Sequence, residues 1–274
     1  MTTGLDSEFD AVLLDLDGCV YAGAEPIPGA AEALRGLAAA GIPYGFLTNN
    51  ASRTREATAE HIRGFGVDAE PAQVLTSGMV AARGIAAAVP AGSRVLVAGA
   101  PALVAAIESE GLVPVETAAQ DPVAVVQGFS KDLTWHTLAE ACVAVRAGAR
   151  WWATNLDPTL PTERGAMPAN GAYVRMVADA TGARPRVAGK PAAAMMEAGA
   201  AMLGAAKPLM VGDRLDTDIA GARAAGFPSA LVLTGVDTEE AARTAPAERR
   251  PDMILDSLTA LVPGGEDGGM RGLG

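Results

Sequence analysis

Residues 11–18 read Ala-Val-Leu-Leu-Asp-Leu-Asp-Gly, an apolar run that leads into two aspartates and a glycine. The apolar run is typical of a buried strand, and the acids would then lie at its carboxyl end, where open α/β sheets bind ligands. Two carboxylates so close repel each other unless a cation, a proton or a bound group compensates them. Asp and Gly are also ordinary turn residues. On its own, this stretch leaves a ligand site and an acidic turn equally open.

Strand-like and helix-like segments alternate along the chain, which indicates parallel sheets with right-handed crossovers. Pro28 and Gly41 bracket a predicted helix over residues 30–40. Ser52 is a suitable N-cap for a second helix, over residues 53–64.

The alternation restarts in the middle of the chain and returns to the first pattern after Arg184. This organisation predicts an α/β fold in which one domain, residues 1–78 plus 185–262, is interrupted by a second α/β domain at 79–184. A polar segment at 155–170 is predicted to be a long loop, and loops of that length inside a compact domain are usually functional. The glycine-rich residues 263–274 are predicted to form a mobile tail.

Composition narrows the class of protein. Half of the 274 residues are hydrophobic, which indicates a compact globular chain, and the net charge of −11 disfavours nucleic acid or an anionic membrane as a partner. No leader-like segment, membrane-spanning run or cysteine framework is present, so we predict a cytoplasmic protein. His61 and His136 lie in helix-like contexts, which leaves acid–base chemistry to carboxylates.

Three more groups of polar residues follow predicted strands. Thr48-Asn49-Asn50 follows a strand at 43–47, Gly189-Lys190-Pro191 follows one at 185–188, and Asp213 to Asp218 follow one at 208–211. Carboxyl ends of parallel strands meet at one edge of a sheet, so we expect all four groups to converge. Carboxylates, a hydroxyl with exposed amides and an ammonium together suit a phosphate ester bound with Mg²⁺.

Each component of this set has a physical role. One Asp can attack phosphorus, and its neighbour can protonate the leaving oxygen and then deprotonate water. Asp17 suits the second role better if it offers Mg²⁺ only its backbone carbonyl and keeps its carboxyl free. The hydroxyl and amides of Thr48-Asn49 can hold phosphoryl oxygens, and the Lys190 ammonium can offset their charge.

Simpler interpretations exist for each group taken alone. Thr48-Asn49-Asn50 can be a strand-end turn, and Asp216 or Thr217 can be the N-cap of a helix from Ile219. A helix cap accounts for one acid of that segment and not for three. Lys190 is one of three lysines among 21 basic residues, which favours a specific use for a compact charge.

In these four segments the chain resembles the haloacid dehalogenase (HAD) superfamily of aspartyl-phosphate phosphatases, specifically the type IIA branch with a large α/β cap. The resemblance implies a Rossmann-like parallel-sheet core with an inserted C2-type cap. It also implies that Asp15 is the nucleophile and Asp17 the general acid/base. Cys19 departs from the branch, which usually has Thr or an aliphatic residue there, and could make the site sensitive to oxidation.

The same resemblance implies the remaining site residues. Asp15, the Asp17 carbonyl and Asp213 would hold Mg²⁺, with Asp218 beside these ligands. The implied phosphate-binding residues are Thr48, Asn49 and Lys190.

The segment 154–165 resembles the substrate-facing part of the cap in this branch, which makes Asn155, Asp157 and Arg164 candidates for substrate specificity. A proline-stiffened surface loop is the alternative. Together with Asn170-Gly171, the segment is most similar to that of glycerol-3-phosphate phosphatases. The resemblance therefore implies a Mg²⁺-dependent phosphomonoesterase for glycerol 3-phosphate or a similar small ester, paired as a homodimer through its cap.

Other functions remain open at this point. Within the same chemistry, the alternative is broad activity on sugar, nucleotide or pyridoxal phosphates. In another class are a phosphoacceptor signalling protein and a catalytically silent scaffold. Signalling receivers are single small domains with no place for the inserted segment, and the intact acids disfavour a silent scaffold.

Overall fold

The computed structural model describes residues 9–262 and 269–273. Its residue contacts divide the chain into two compact units. Unit 1 consists of Met1–Thr48, Arg55–Leu75 and Lys190–Gly274, and unit 2 of Asn49–Thr54 and Thr76–Gly189. Each unit contains a sheet that is wholly or largely parallel, together with helices, so the predicted α/β fold class is confirmed.

Helices and strands alternate through most of the described chain. The helices are α1 Ala30–Ala39, α2 Arg55–Arg63, α3 Ser77–Ala86, α4 Pro101–Ser109, α5 Trp135–Arg146, α6 Asn170–Thr181, α7 Ala193–Leu203, α8 Ala220–Ala225 and α9 Glu239–Thr244. The strands are β1 Val12–Leu14, β2 Tyr21–Ala22, β3 Glu25–Pro26, β4 Tyr44–Thr48, β5 Val74–Thr76, β6 Arg94–Ala98, β7 Val113–Val115, β8 Ala124–Gln127, β9 Arg150–Ala153, β10 Thr159–Thr162, β11 Gly165–Pro168, β12 Arg186–Val187, β13 Leu209–Gly212, β14 Ser229–Val232, β15 Met253–Leu255 and β16 Met270–Gly272.

Unit 1 is built around a sheet of order β16-β15-β14-β13-β1-β4-β5. Strand β1 pairs in parallel with β13 on one side and β4 on the other, and all three of its residues are buried. A strand covered on both faces needs apolar residues at every position, which explains the continuous run before Asp15. Helix α1 buries Ala30, Ala33, Leu34 and Leu37, the spacing of one helical face.

Unit 2 has its own sheet, of order β12-β9-β8-β6-β7, with every neighbouring pair parallel. Its core packs Leu96, Val125 and Trp151 of the sheet against Leu138 of α5 and Val177 of α6. Like unit 1, it is therefore an α/β layer structure with a separate hydrophobic core.

The segment 155–170 is not the irregular loop that the sequence predicts. It contains an antiparallel hairpin, β10 with β11, whose turn includes Gly165 at φ 95°. The prolines of this segment obscured the hairpin, because proline is compatible with a two-stranded pair only where its missing N–H faces away from the partner.

Three further expectations are corrected. The strand before Lys190 belongs to the sheet of unit 2, because β12 pairs with β9. Helix α2 begins at Arg55, and Ser52 donates to the side chain of Asn50 instead of capping it. In the predicted mobile tail, Met270–Gly272 forms a strand against β15, while residues 263–268 and 274 lie outside the described residues.

None of the helices in the described part of the chain is both long enough and apolar enough to cross a bilayer.

Candidate active site

Three of the predicted groups follow neighbouring strands of the unit 1 sheet. Asp15 follows β1, Thr48 ends β4, and Asp213 follows β13, and the order of these strands is β13-β1-β4. Because the strands are parallel, their carboxyl ends share one edge of the sheet. The sheet topology therefore places these three residues at neighbouring strand ends, as the sequence predicts.

Lys190 contacts Asp15 and Asp218, although the strand that precedes it, β12, is not part of the unit 1 sheet. Its Nζ lies 2.6 Å from Oδ1 of Asp15 and 2.6 Å from Oδ1 of Asp218. The side chain is only 2% exposed, and Asp218 is fully buried. Burial acts to lower the pKa of Lys190, but Asp15 and Asp218 act in the opposite direction and raise it above its ordinary value. The residue is therefore a buried ammonium held by two carboxylates.

Asp15, Asp213 and Asp218 form a cluster in which one carboxylate oxygen from each lies within 4.8 Å of the others. Burial, followed by the charge of Asp15, raises the pKa of Asp213 to about 6. Burial also raises the pKa of Asp218 to about 7; Lys190 opposes this shift, and Asp15 and Asp213 add to it. The fold thus holds three acids and a single ammonium together at an electrostatic cost. Oxygen ligands with excess negative charge are what a hard divalent cation requires.

The loop after β13 fixes the buried Asp218 through its own backbone. Asp218 Oδ2 accepts a hydrogen bond of 3.1 Å from the Arg214 N–H, within a π-helical turn at Leu215–Ile219. Asp216 is instead exposed and paired with Arg214, with an Nη2–Oδ2 distance of 2.9 Å. The interpretation of Asp216 or Thr217 as a helix cap is therefore wrong, because neither side chain accepts a capping hydrogen bond. The side chain that accepts the Arg214 N–H is that of Asp218.

Sequence reasoning missed the segment 234–237, which follows β14 at the same sheet edge. The Val236 N–H donates to Asp213 Oδ2 at 2.8 Å, and the Leu215 N–H donates to Asp237 Oδ2 at 2.7 Å. The Thr234 hydroxyl donates to the Gly18 carbonyl at 2.6 Å. The available signal was a fourth strand end, where the Leu-Val-Leu run gives way to Thr-Gly-Val-Asp.

Gly18 and Gly235 both lie against the Asp213 carboxylate. A Cβ at either position would overlap it, and Gly18 also has a φ of +76° that favours glycine. The cluster therefore depends on two residues that carry no side chain.

We expect Gly235→Ala to displace Asp213 and to weaken binding of a divalent cation such as Mg²⁺ by about tenfold or more, because a ligand misplaced by 1 Å can cost about 100-fold. Titration with Mg²⁺ measures the change. Gly272→Ala is the control, since a Cβ there meets nothing within 4 Å. Equal Mg²⁺ dependence of the two variants would contradict this role of Gly235.

Asp17 and Cys19 differ sharply in environment. Asp17 is exposed, and its backbone forms a bridge with Tyr21. Cys19 is fully buried in the apolar core, where burial, followed by the charges of Asp15, Asp213 and Asp218, raises the pKa of its thiol. A buried thiol with a raised pKa is a poor nucleophile, so the structure does not favour the oxidation sensitivity expected of Cys19.

The other predicted site residues lie in unit 2. Asn49 Nδ2 donates to Asp157 Oδ2 at 3.1 Å, and Asn155 Nδ2 donates to the Asn49 carbonyl at 2.7 Å. Arg164 is exposed in the turn between β10 and β11, where its N–H donates to Thr162. The structure thus assembles one group of predicted residues in unit 1 and joins Asn49, Asn155 and Asp157 in unit 2.

Two family models match this chain and together cover most of it. The model described as haloacid dehalogenase-like hydrolase matches residues 12–113, and a HAD-hydrolase-like model matches residues 187–261. The D-glycerol 3-phosphate phosphatase of Mycobacterium tuberculosis is 46% identical over 254 residues, covering 93% of this chain and 71% of that protein. The chain belongs to the haloacid dehalogenase-like hydrolases. The family and the phosphatase class predicted from the motifs are therefore confirmed.

Other matches of this HAD-like hydrolase include a relative with a different name and a solved structure. The 5'-nucleotidase YutF of Bacillus subtilis is 38% identical, covering 93% of this chain and 98% of that protein. A crystal structure of a glycerol phosphate phosphatase from Mycobacterium tuberculosis in complex with magnesium matches with a TM-score of 0.90 at 45% identity, covering 96% of this chain and 79% of that one.

Proposed function

We propose that this HAD-like hydrolase is a Mg²⁺-dependent phosphomonoesterase that acts through an aspartyl-phosphate on Asp15. The observation that carries the proposal is the Asp15 carboxylate, held 2.6 Å from the buried ammonium of Lys190 and within the cluster that includes Asp213 and Asp218. A nucleophile, a charge that fixes it and a set of oxygen ligands are thereby combined in one unit.

The acid cluster fits the metal that this chemistry requires. Asp15 and Asp213 would contribute carboxylate oxygens and Asp17 its backbone carbonyl, with Asp218 beside them. The raised pKa values of Asp213 and Asp218 support a cation here, because added positive charge would relieve the repulsion among these acids. When bound, Mg²⁺ offsets the negative charge of the phosphoryl oxygens.

The chain's own residues carry out the two steps of the reaction. A carboxylate oxygen of Asp15 attacks phosphorus, so that an Oδ–P bond forms while the ester P–O bond breaks. Asp17 gives its proton to the departing alkoxide. It then takes a proton from water, which attacks phosphorus, breaks the Oδ–P bond and releases inorganic phosphate. The exposed position of Asp17 supports its exchange of protons with water.

Thr48, Asn49 and Lys190 are the proposed phosphate-binding residues. Thr48 is buried at the end of β4, so its position is set by the sheet. Lys190 supplies a compact positive charge whose raised pKa keeps it protonated throughout the working pH range.

Glycerol 3-phosphate is the leading proposed substrate. Its support is the 46% identity with the mycobacterial D-glycerol 3-phosphate phosphatase. Broad activity is the second candidate, favoured by relatives named 5'-nucleotidase and acid sugar phosphatase, the latter from Staphylococcus aureus at 37% identity. We further propose that unit 1, close to the predicted 1–78 plus 185–262, is the catalytic core and that unit 2, close to 79–184, is the cap. The exposed Arg164 of unit 2 is a candidate contact for the non-phosphate part of the substrate.

We propose that the enzyme is cytoplasmic. We also propose that it forms a homodimer paired through its cap. The phosphatase names of its relatives support a small phosphate ester as its partner. The net charge of −11 disfavours nucleic acid and an anionic membrane surface. Size-exclusion chromatography with light scattering tests the dimer.

The decisive experiment ranks glycerol 3-phosphate, a sugar phosphate, a nucleoside 5'-monophosphate, pyridoxal phosphate and nitrophenyl phosphate by kcat/KM. A clear preference for glycerol 3-phosphate supports the first candidate, and similar values support the second. A stable phosphoprotein without turnover would favour a signalling role instead.

Removal of the metal is expected to abolish turnover. A chelator should stop phosphate release, and added Mg²⁺ should restore it. Protons compete with the metal for carboxylates, and the pKa values of Asp213 and Asp218 are raised to about 6 and about 7. The Mg²⁺ concentration for half-maximal activity should therefore rise as the pH falls from about 8 to about 6. Full activity in the presence of chelator would contradict the metal's role.

A further inference from the structure

Asn49 is fixed within unit 2 by hydrogen bonds with three other residues. Its carbonyl accepts from Asn155 Nδ2 at 2.7 Å and from the hydroxyl of the buried Ser77 at 2.7 Å. Its side-chain Nδ2 donates to Asp157 Oδ2 at 3.1 Å. Both the backbone and the amide of Asn49 are thereby oriented by residues from elsewhere in the sequence.

Asn155 is buried and already hydrogen-bonded through both atoms of its amide. It is only 5% exposed, its Nδ2 donates to Asn49, and its Oδ1 accepts from the Asp157 N–H at 3.1 Å. Its carbonyl accepts from Nδ2 of the fully buried Asn170 at 2.8 Å. These hydrogen bonds fix Asn155 against Asn49, Asp157 and Asn170.

The backbone of Asp157 is hydrogen-bonded, as its side chain is. Its carbonyl accepts from the Gly171 N–H at 2.8 Å. A Cβ on Gly171 would overlap the backbone of Leu156 and Asp157, so the segment packs directly against the start of α6. Asp157 therefore presents its carboxylate to Asn49 from a rigid support.

We propose that Asp157 and Asn155 are positioning residues for Asn49 and not determinants of substrate choice. The inference rests on the proposed function, in which Asn49 binds the phosphoryl group. Every substrate of such an enzyme carries that group. Loss of either residue should consequently weaken catalysis by the same factor for all phosphate esters and leave their ranking unchanged.

The sign of the Asp157 effect separates positioning from simple electrostatics. A carboxylate near a phosphate-binding side chain repels the substrate, so removal of its charge alone would improve phosphate binding. The loss of an acceptor that orients Asn49 acts in the opposite direction. Asp157→Asn keeps an acceptor oxygen without the charge and should retain most of the activity, whereas Asp157→Ala should not.

The test is a double-mutant cycle in the full-length protein with Asn49→Ala, Asp157→Ala and the double variant. We expect Asp157→Ala to lower kcat/KM by about tenfold for glycerol 3-phosphate, a nucleotide and nitrophenyl phosphate alike, within the usual range for residues in contact. In the Asn49→Ala background, the same substitution should cost less than about twofold. Asp179→Ala, which removes an exposed acid from α6 of the same unit, is the matched control.

Two results of the kinetic experiment would overturn the inference. One is a changed ranking of the esters in Asp157→Ala or Asn155→Ala, which would make these residues specificity determinants. The other is an equal effect of Asp157→Ala with and without the Asn49 side chain. If the wild-type protein hydrolyses none of the esters, the proposed function fails on its own. The cycle is then measured by titration with inorganic phosphate and Mg²⁺, and an unchanged phosphate Kd in Asp157→Ala overturns the inference.

Discussion

Asp15→Asn is expected to reduce phosphate release by at least about 1,000-fold, because an amide cannot replace the carboxylate that attacks phosphorus and removal of a nucleophile can cost about a million-fold. Substrate binding should suffer much less, since Lys190 and Thr48 remain. The effect should therefore fall on kcat more than on KM. Single-turnover assays with Mg²⁺ and labelled ester should also show no phosphoprotein.

The same substitution should not destabilise the protein. Asp15 raises the pKa of both Asp213 and Asp218, so its carboxylate adds to the repulsion within the buried cluster. Neutralising it removes part of this cost but also weakens one of the two contacts of Lys190, which keeps its contact with Asp218 at 2.6 Å. We expect these opposing effects to leave the Tm without Mg²⁺ close to that of the wild type, and we expect a smaller increase in Tm when Mg²⁺ is added.

Asp216→Asn is the matched control for Asp15→Asn. It makes the same chemical change at an exposed acid that pairs with Arg214. Wild-type turnover in this control and near-complete loss in Asp15→Asn would assign the reaction to Asp15. Turnover within tenfold of wild type in Asp15→Asn would place the nucleophile elsewhere.

The part of the site that the sequence predicted follows from a local pattern with a fixed geometric consequence. Continuous apolar runs lead into Asp15, Thr48 and Asp213, and such runs indicate strands buried on both faces of a parallel sheet. Once the strands are parallel, their carboxyl ends share an edge. The order β13-β1-β4 then brings residues about 200 positions apart to neighbouring strand ends.

The parts that the sequence did not predict depend on contacts between distant segments. Strand β12 has only two residues, and nothing in Arg186-Val187 specifies that β9 of unit 2 is its partner. Gly235 is required because the Asp213 carboxylate packs against it. This contact arises from the pairing of β13 with β14, which the local sequence does not reveal. Asn155 carries the chemical groups of a substrate-binding residue, but its hydrogen-bond partners show that these groups are already in use.

Lys190→Met is expected to impair both catalysis and folding. Methionine has a similar length but no charge, so the variant leaves Asp15 and the fully buried Asp218 without the ammonium that lies 2.6 Å from each. Removal of one partner from a buried ion pair typically costs about 3–5 kcal/mol of stability. Loss of a charge that stabilises the phosphoryl oxygens should lower kcat by about 100-fold or more. Lys190→Arg should not rescue activity, because a planar guanidinium cannot replace a compact ammonium at a site with two such short contacts.

The pH dependence of unfolding identifies the cause of the instability. Lys190 lowers the pKa of Asp218, which is nevertheless raised to about 7, so the pKa of this acid should rise further in Lys190→Met. An acid whose folded-state pKa is raised destabilises the protein by an amount that grows as the pH rises from its unfolded-state pKa to its folded-state pKa. Wild type and Lys190→Met should therefore carry the same penalty from Asp218 below the wild-type pKa of about 7 and should differ above it. The difference in Tm between wild type and Lys190→Met should consequently be largest near pH 8 and should shrink towards pH 5, in the absence of Mg²⁺. Lys207→Met, at an exposed lysine of the same unit, should show neither effect. A pH-independent loss of stability would mean that packing of the Lys190 side chain, and not its charge, holds the cluster together.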